Sequence, residues 1–331
     1  MKRILFTLVC LFSLAACGQA AVSPTATVTP VPTNTPQPTD PSQPGATLTS
    51  PELLVSKHWQ IINQFQVAGD ITLLGFLNPS LGIGVGLESL VLYSNDNAHT
   101  WPNAQNQSNC LFGLEIVNEN VAWACGNVGN VRLSTDGGAT WQIVNNFGDH
   151  TLAYCHHLSF LDATTGWAAT TTKLGMTTDG AQTWHPVTLP QGIGEIEAIF
   201  LRTANEGYVL DASGRIYITA DGGETWKTSA LPSGNHGNIS IVTKMVPSAA
   251  IRFSDAENGM AVYQTHDFAM DWHLWVAYTS SGGISWQVEQ LPTNPQAAWP
   301  LYLSRDGQFL TLMVTYPISP VNDVTLFQYN P

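Results

Sequence analysis

Apolar residues stand three and five positions before a recurrent acidic position: Val91 and Tyr93, Val131 and Leu133, Leu174 and Met176, Ile216 and Ile218, Val276 and Tyr278. A period of two at that place predicts a strand running into a turn. The turn is an octet, STDGGATW from Ser134 to Trp141, with degenerate copies SNDNAHTW (Ser94 to Trp101), TTDGAQTW (Thr177 to Trp184), TADGGETW (Thr219 to Trp226) and TSSGGISW (Thr279 to Trp286). Read as a hairpin tip, it lets the Asp accept turn amides while the glycines supply positive φ and the Trp folds back as an apolar plug. Asp96, Asp136, Asp179 and Asp221, with Trp101, Trp141, Trp184, Trp226 and Trp286, are therefore expected to be structural.

A second column sets the register. Phe76, Ile116, Phe160, Leu201 and Phe253 each stand six residues before Gly82, Ala122, Gly166, Gly207 and Gly259, and the residue after each of these is large. From that Gly or Ala to the acidic column the distances are 14, 14, 13, 14 and 22 residues. Each unit thus holds an A-to-B turn, a B-to-C turn and the octet between C and D. That is the four-stranded antiparallel blade of an all-β propeller.

Five octets do not make five blades. Leu301 to Tyr316 and Val324 to Tyr329 supply three more strands without an octet, and HWQIINQF (His58 to Phe65) matches the D-strand sequence TWQIVNNF (Thr140 to Phe147) at five positions. The expectation is six blades, closed by pairing the N-terminal strand with the C-terminal three, which removes the exposed edge of the ring.

Residues 52–331 form this propeller, and two segments precede it. Residues 1–16 carry Lys2 and Arg3 followed by an apolar run, too short for a permanent span, and read as a secretory signal. They end in LAAC, which looks like a lipobox, so Cys17 is the expected lipidation site. Residues 17–51 are rich in Thr, Pro, Ser and Gln, cannot bury a core, and form a tether reaching on the order of 100 Å. The protein is then expected to be exported and anchored by lipid to the outer side of the cell membrane.

All 24 acidic residues follow Cys17, and loss of Lys2 and Arg3 leaves 9 basic ones, a formal charge of −15. Nucleic acid is excluded as a partner on charge. After export Cys110, Cys125 and Cys155 meet oxidising conditions, and at most one intramolecular pair forms among them. Cys110 and Cys155 stand at nearly equivalent starts of neighbouring A strands. That pairing is favoured over Cys110 with Cys125, and both stay open.

The octet resembles the Asp box, or BNR repeat, of sialidase-like β-propellers. Sialidases imply three arginines on a substrate carboxylate, a Tyr and Glu nucleophile pair and an Asp acid, the first Arg lying in an Arg-Ile-Pro string. Here no Arg lies between Cys17 and Arg132, and Arg202 and Arg305 fall at A-to-B turns on the octet face. The segments TTGWAATTTKLGMTTDGAQTW (Thr164 to Trp184) and NVAWACGNVGNVRLSTDGGATW (Asn120 to Trp141) resemble the photosystem II stability and assembly factor family. That resemblance implies a single propeller that binds other proteins without catalysis. The family uses an arginine-rich surface for its photosystem partner, from which this acidic chain departs.

No catalytic constellation, cofactor motif or metal motif is present. His150, His156, His157, His266, Asp267, Asp271 and His273 match no established ligand spacing and read as solvated loop residues. The repeat is broken at blade five, by the long B-to-C segment and by a 27-residue interval from Trp226 to Phe253. Both insertions rise from the face opposite the octets, where long loops on a rigid scaffold favour recognition. His150, Tyr154, Glu195, Glu197, His236, His266, Asp271 and Trp272 are the candidate ligand residues there. A monomer with a protein or glycan ligand is expected, and a degenerate sialidase-like or other glycoside hydrolase is the alternative.

Overall fold

A computed structural model describes residues 53–54, 56–105, 110–127, 129–146, 154–232, 249–266, 272–291, 301–314 and 321–331. The first two strands are β1 (Leu53–Leu54) and β2 (Trp59–Ala68). Blade one holds β3 (Ile71–Phe76), β4 (Gly82–Gly86), β5 (Val91–Ser94) and β6 (Asn103–Gln105). Blade two holds β7 (Leu111–Ile116), β8 (Ala122–Gly126), β9 (Asn130–Ser134) and β10 (Gln142–Asn146). Blade three holds β11 (His157–Phe160), β12 (Gly166–Ala169), β13 (Leu174–Thr177) and β14 (His185–Val187). Blade four holds β15 (Ile196–Leu201), β16 (Gly207–Asp211), β17 (Arg215–Thr219) and β18 (Lys227–Ala230). Blade five holds β19 (Ala249–Phe253), β20 (Asn258–His266), β21 (Trp272–Ser280) and β22 (Gln287–Leu291). The last strands are β23 (Leu301–Leu303), β24 (Phe309–Val314) and β25 (Val321–Tyr329).

The sixth sheet has the order β1-β2-β25-β24-β23, so the N-terminal strand completes the C-terminal blade. Trp59 pairs with Tyr329 and Ala68 with Val321, with one bulge between Ile61 and Asn63. This D strand runs past the expected Phe65, and β1 adds a fifth strand outside it, pairing Leu53 with Ile61 and Leu54 with Gln60. The innermost strands β3, β7, β11, β15, β19 and β23 each touch the next, and β23 touches β3, which closes a ring of six.

Packing between blades explains the second column. Phe76 pairs with Gly82, Phe160 with Gly166 and Phe253 with Gly259 across the A–B ladders. A Cβ at those glycines would lie 2.7, 2.3 and 2.5 Å from the facing Phe ring. Blade two carries the smaller Ile116 and accommodates Ala122 opposite it. At Gly207 the obstacle comes from the neighbouring blade, because a Cβ would meet the Trp167 ring at 2.1 Å. The large residue after the glycine stacks on the next blade: Trp123 on Phe160 at 4.0 Å and Tyr208 on Phe253 at 3.7 Å between ring centroids. Such pairs contribute about 0.5–1.5 kcal/mol each beyond area burial.

The cysteine expectation is corrected. Cys125 is joined to Cys155, with an S–S distance of 2.08 Å. The reason lies in how blade three begins. Tyr154 bridges Asn127, and the Cys155 amide donates to the Gly126 carbonyl at 3.1 Å, so Cys155 lies against the end of the B strand of blade two, the strand that carries Cys125. Cys110 is buried at that A-strand start, where its amide donates to Asn127 Oδ1 at 2.9 Å. The disulfide therefore ties two blades together.

Candidate functional site

The octet turns use their polar groups internally. In the second copy Asp136 Oδ1 accepts from Ser134 Oγ at 2.9 Å and from the Thr140 amide at 2.8 Å, while Thr140 Oγ1 donates to Oδ2 at 2.5 Å. Asp96, Asp179 and Asp221 receive the same three bonds from their own turns. For Asp179 and Asp221 the bonds from Thr183 and Thr225 hold the carboxyl down at about 2. At Asp96 burial pushes the other way, but the bonds from Thr100, Ser94 and His99 prevail, again near about 2. In the fifth copy Ser281 substitutes, with the Ser285 amide donating to its Oγ at 3.0 Å. Asn97 at the first glycine position of the octet, and Ala98 and Ala181 at the second, hold φ of 61°, 64° and 66°. The Ala98 and Ala181 amides are held there by Ser94 Oγ at 3.1 Å and Thr177 Oγ1 at 3.0 Å. The box tryptophans pack inward: Trp101 meets Phe76, Trp184 meets Phe160 and Trp286 meets Phe253 edge to face, and Trp141 Nε1 and Trp226 Nε1 donate to the carbonyls of Gly138 and Thr188.

On the opposite face, the B–C hairpin of blade five runs on beyond its A strand. Its A strand ends its pairing at Ala249 with Tyr263, yet the hairpin continues through Gln264–Leu274, Thr265–His273 and His266–Trp272. Three further pairs extend it by roughly 10 Å at strand rise. The hairpin base is fixed: Trp275 Nε1 donates to Thr265 Oγ1 at 2.9 Å, Tyr263 OH donates to the Pro232 carbonyl at 3.2 Å, and His273 Nδ1 lies 3.1 Å from Gln290 Nε2. His266 and Trp272 are placed on this hairpin by their backbone. His150, His236, Asp267 and Asp271 lie outside the described residues.

Across the mouth, Tyr154 is 61% exposed, Glu195 is half-buried and Glu197 is buried at a bulge between Ile196 and Ala198. His156 and His157 are not solvated loop residues. Both are buried at the entry of β11, and burial pushes their rings down to about 4 and about 3, with Glu195 opposing the shift at His156. They are neutral at physiological pH. Among the described residues no three His, Cys, Asp or Glu side chains gather in a metal-binding arrangement.

The axis holds a site that was not anticipated. A cavity of about 40 Å³ runs between the A strands, lined from all six blades and including Leu73, Leu114, His157, Ile199, Arg252 and Tyr302. At its octet end Glu115, fully buried, receives Arg252 Nη2 at 3.1 Å and Arg305 Nη1 at 3.0 Å. Both guanidiniums lie over Phe200, at 5.3 and 5.0 Å from its centroid, and Arg305 Nη2 also donates to the Leu201 carbonyl at 2.8 Å. Tyr302 OH accepts the Ile116 amide at 3.0 Å. The signal for this layer was present: Glu115, Phe200 and Arg252 each stand one residue before the column of Ile116, Leu201 and Phe253. That position faces the axis, and blades two and five are opposite in a ring of six, so their charges meet. Arg305 does fall in the A-to-B turn between β23 and β24, as expected, and Arg202 in that between β15 and β16, paired with Glu206.

Residues 149–312 match the sequence model of a family described as photosynthesis system II assembly factor YCF48. No curated protein matches the chain. YCF48 bound to a D1 peptide superimposes with a TM-score of 0.50 at 13% identity, over 84% of this chain and 97% of that one. The WD40 propeller domain of Doa1 gives 0.51 at 12% identity, over 82% and 96%. An ancestral GH74 enzyme gives 0.49 at 16% identity, over 83% of this chain and 40% of that one. At such identities the likeness shows the propeller fold alone.

Proposed function

We propose that this protein is a non-enzymatic, surface-anchored recognition propeller that binds a segment of a partner protein on the face opposite the octet turns. The observation that carries the reading is the blade-five hairpin, which is paired to His266 and Trp272 and so presents a rigid wall beside the mouth rather than a loose insertion. Tyr154 offers an exposed aromatic across the rim, and Glu195 adds acidic character. Aromatic anchors on a preorganised scaffold are suited to protein recognition. The match to the YCF48 family, and the D1 peptide held by a YCF48 structure, favour a polypeptide over a glycan as ligand. Glu115, the carboxylate at the axis, is held by both Arg252 and Arg305, which argues against its serving as a glycosidase acid. Lipid on Cys17 and the Thr/Pro tether place the head at the membrane exterior.

A photo-crosslinking residue at Trp272, with a control at Ile284 on the octet face, tests this in intact cells. Protein adducts at Trp272 and none at Ile284 are expected, in a chain whose purified mature form carries diacylglycerol on Cys17 by intact mass. Turnover in a chromogenic glycoside panel, or adducts confined to Ile284, would overturn the proposal.

A further inference from the structure

The axial ion cluster is unbalanced. Two guanidiniums, Arg252 and Arg305, share one carboxylate, Glu115, leaving one positive charge in excess at a layer where Glu115 is fully buried and the Arg252 side chain is 8% exposed. Arg252 spends Nη1 on the Ile251 carbonyl at 3.0 Å and Nη2 on Glu115, and its buried Nε–H has no hydrogen-bond partner. A buried donor left without a partner is destabilising, the more so on a charged group, so the position favours an acceptor that carries negative charge.

Space and surroundings agree. Arg252 borders both the axial cavity and a groove of about 590 Å³ that opens between blades five and six on the octet face. Arg305 and Lys57 line the same groove, with Gln308, with His58, whose Nδ1 lies 3.4 Å from Glu289 Oε1, and with Asn258, whose Nδ2 donates to Asp255. Its one acidic lining residue, Asp306, is engaged within its own turn by Ser304 Oγ at 2.5 Å and the Gln308 amide at 3.0 Å. In a chain of formal charge −13, three of the eleven Lys and Arg residues therefore converge on one groove. A concave, low-dielectric wall concentrates that potential.

We propose that Arg252 and Arg305 hold a small monovalent anion, a halide or a single carboxylate, in the floor of this groove. Its position is independent of the blade-five hairpin and of any partner bound there. Glu115 is the internal competitor: it satisfies half of the charge and the anion satisfies the rest, with Phe200 holding both guanidiniums in plane.

The probes are bromide and acetate, titrated into the intact propeller at constant ionic strength set with a bulky sulfonate. The expected result is a melting temperature that rises saturably, with half-saturation on the order of millimolar. Arg305→Met should abolish the saturable part, and Lys173→Met, an exposed charge that lines neither the groove nor the axial cavity, should leave it unchanged. Glu115→Gln removes the competing charge and should tighten binding about tenfold. Anomalous scattering from bromide should fall in the groove beside Arg252 and Arg305. A stronger response to bromide identifies a free inorganic ion, and a stronger response to acetate identifies a carboxylate borne by a larger ligand; both support the site. A linear, unsaturable salt response equal in the parent and Arg305→Met, or a bromide peak elsewhere only, would overturn it.

Discussion

Replacing both Cys125 and Cys155 with Ala should cost this propeller a calculable part of its stability. The bond closes a loop of 30 residues. On the chain-entropy account, restricting such a loop in the unfolded state removes about 12 cal/mol/K, which is about 3.6 kcal/mol at room temperature. Both side chains are fully buried, and alanine keeps the site apolar, so no stranded polar group adds to the loss. For a domain of this size about 1 kcal/mol shifts the melting temperature by roughly 2–4 °C, so a fall of about 7–14 °C is expected. The assay is calorimetry on parent and double variant, with peptide mapping of the unreduced parent. The map should show a cross-link between the peptides of Cys125 and Cys155. A melting shift under about 2 °C, or the absence of a cross-link between the Cys125 and Cys155 peptides, would refute the reasoning, because the first denies the loop-closure term and the second denies the geometry that sets Cys155 beside Gly126.

Acidification should also destabilise the ring in two steps. His156 and His157 have folded values near about 4 and about 3 against an ordinary 6.5, so between pH 6.5 and 4 the unfolded chain takes up protons that the native rings refuse. Stability is undiminished by them above pH 6.5 and falls below it, by about 2 kcal/mol for each ring at pH 5. Below about pH 4 the octet carboxylates, held near about 2 at Asp96, Asp179 and Asp221, add a second loss as pH drops toward that value. Urea midpoints that coincide at pH 7.5 and pH 5 would contradict the first step. Gly207→Ala should destabilise by about 1–3 kcal/mol through overlap with the Trp167 ring, whereas Gly192→Ala, which meets no atom within 4 Å but has φ of 79°, reports the backbone cost alone. Equal losses in the two variants would show that the inter-blade contact is not what selects glycine at Gly207.

Much of this architecture was written in contiguous residues. The octet is legible because its Ser or Thr, Asp and Thr bond to one another within one turn, so neighbours in sequence suffice to specify it. The six-residue interval from Phe76 to Gly82 and its counterparts is legible for the same reason, since it spans one hairpin whose partners face each other. The N-terminal D strand could be recognised by its likeness to another D strand, and closure followed from a blade that lacked one. What the sequence did not determine is whatever depends on which blades become neighbours across space. Cys155 was placed by counting along its own strand, but its partner is chosen by the bridge between Tyr154 and Asn127, a contact between blades. His156 and His157 look like loop residues until the ring closes over them. Glu115 and Arg252 are separated by 137 residues and oppose each other only because the ring has six members, so blade number, a property of inter-blade packing angle, decided that the two charges meet.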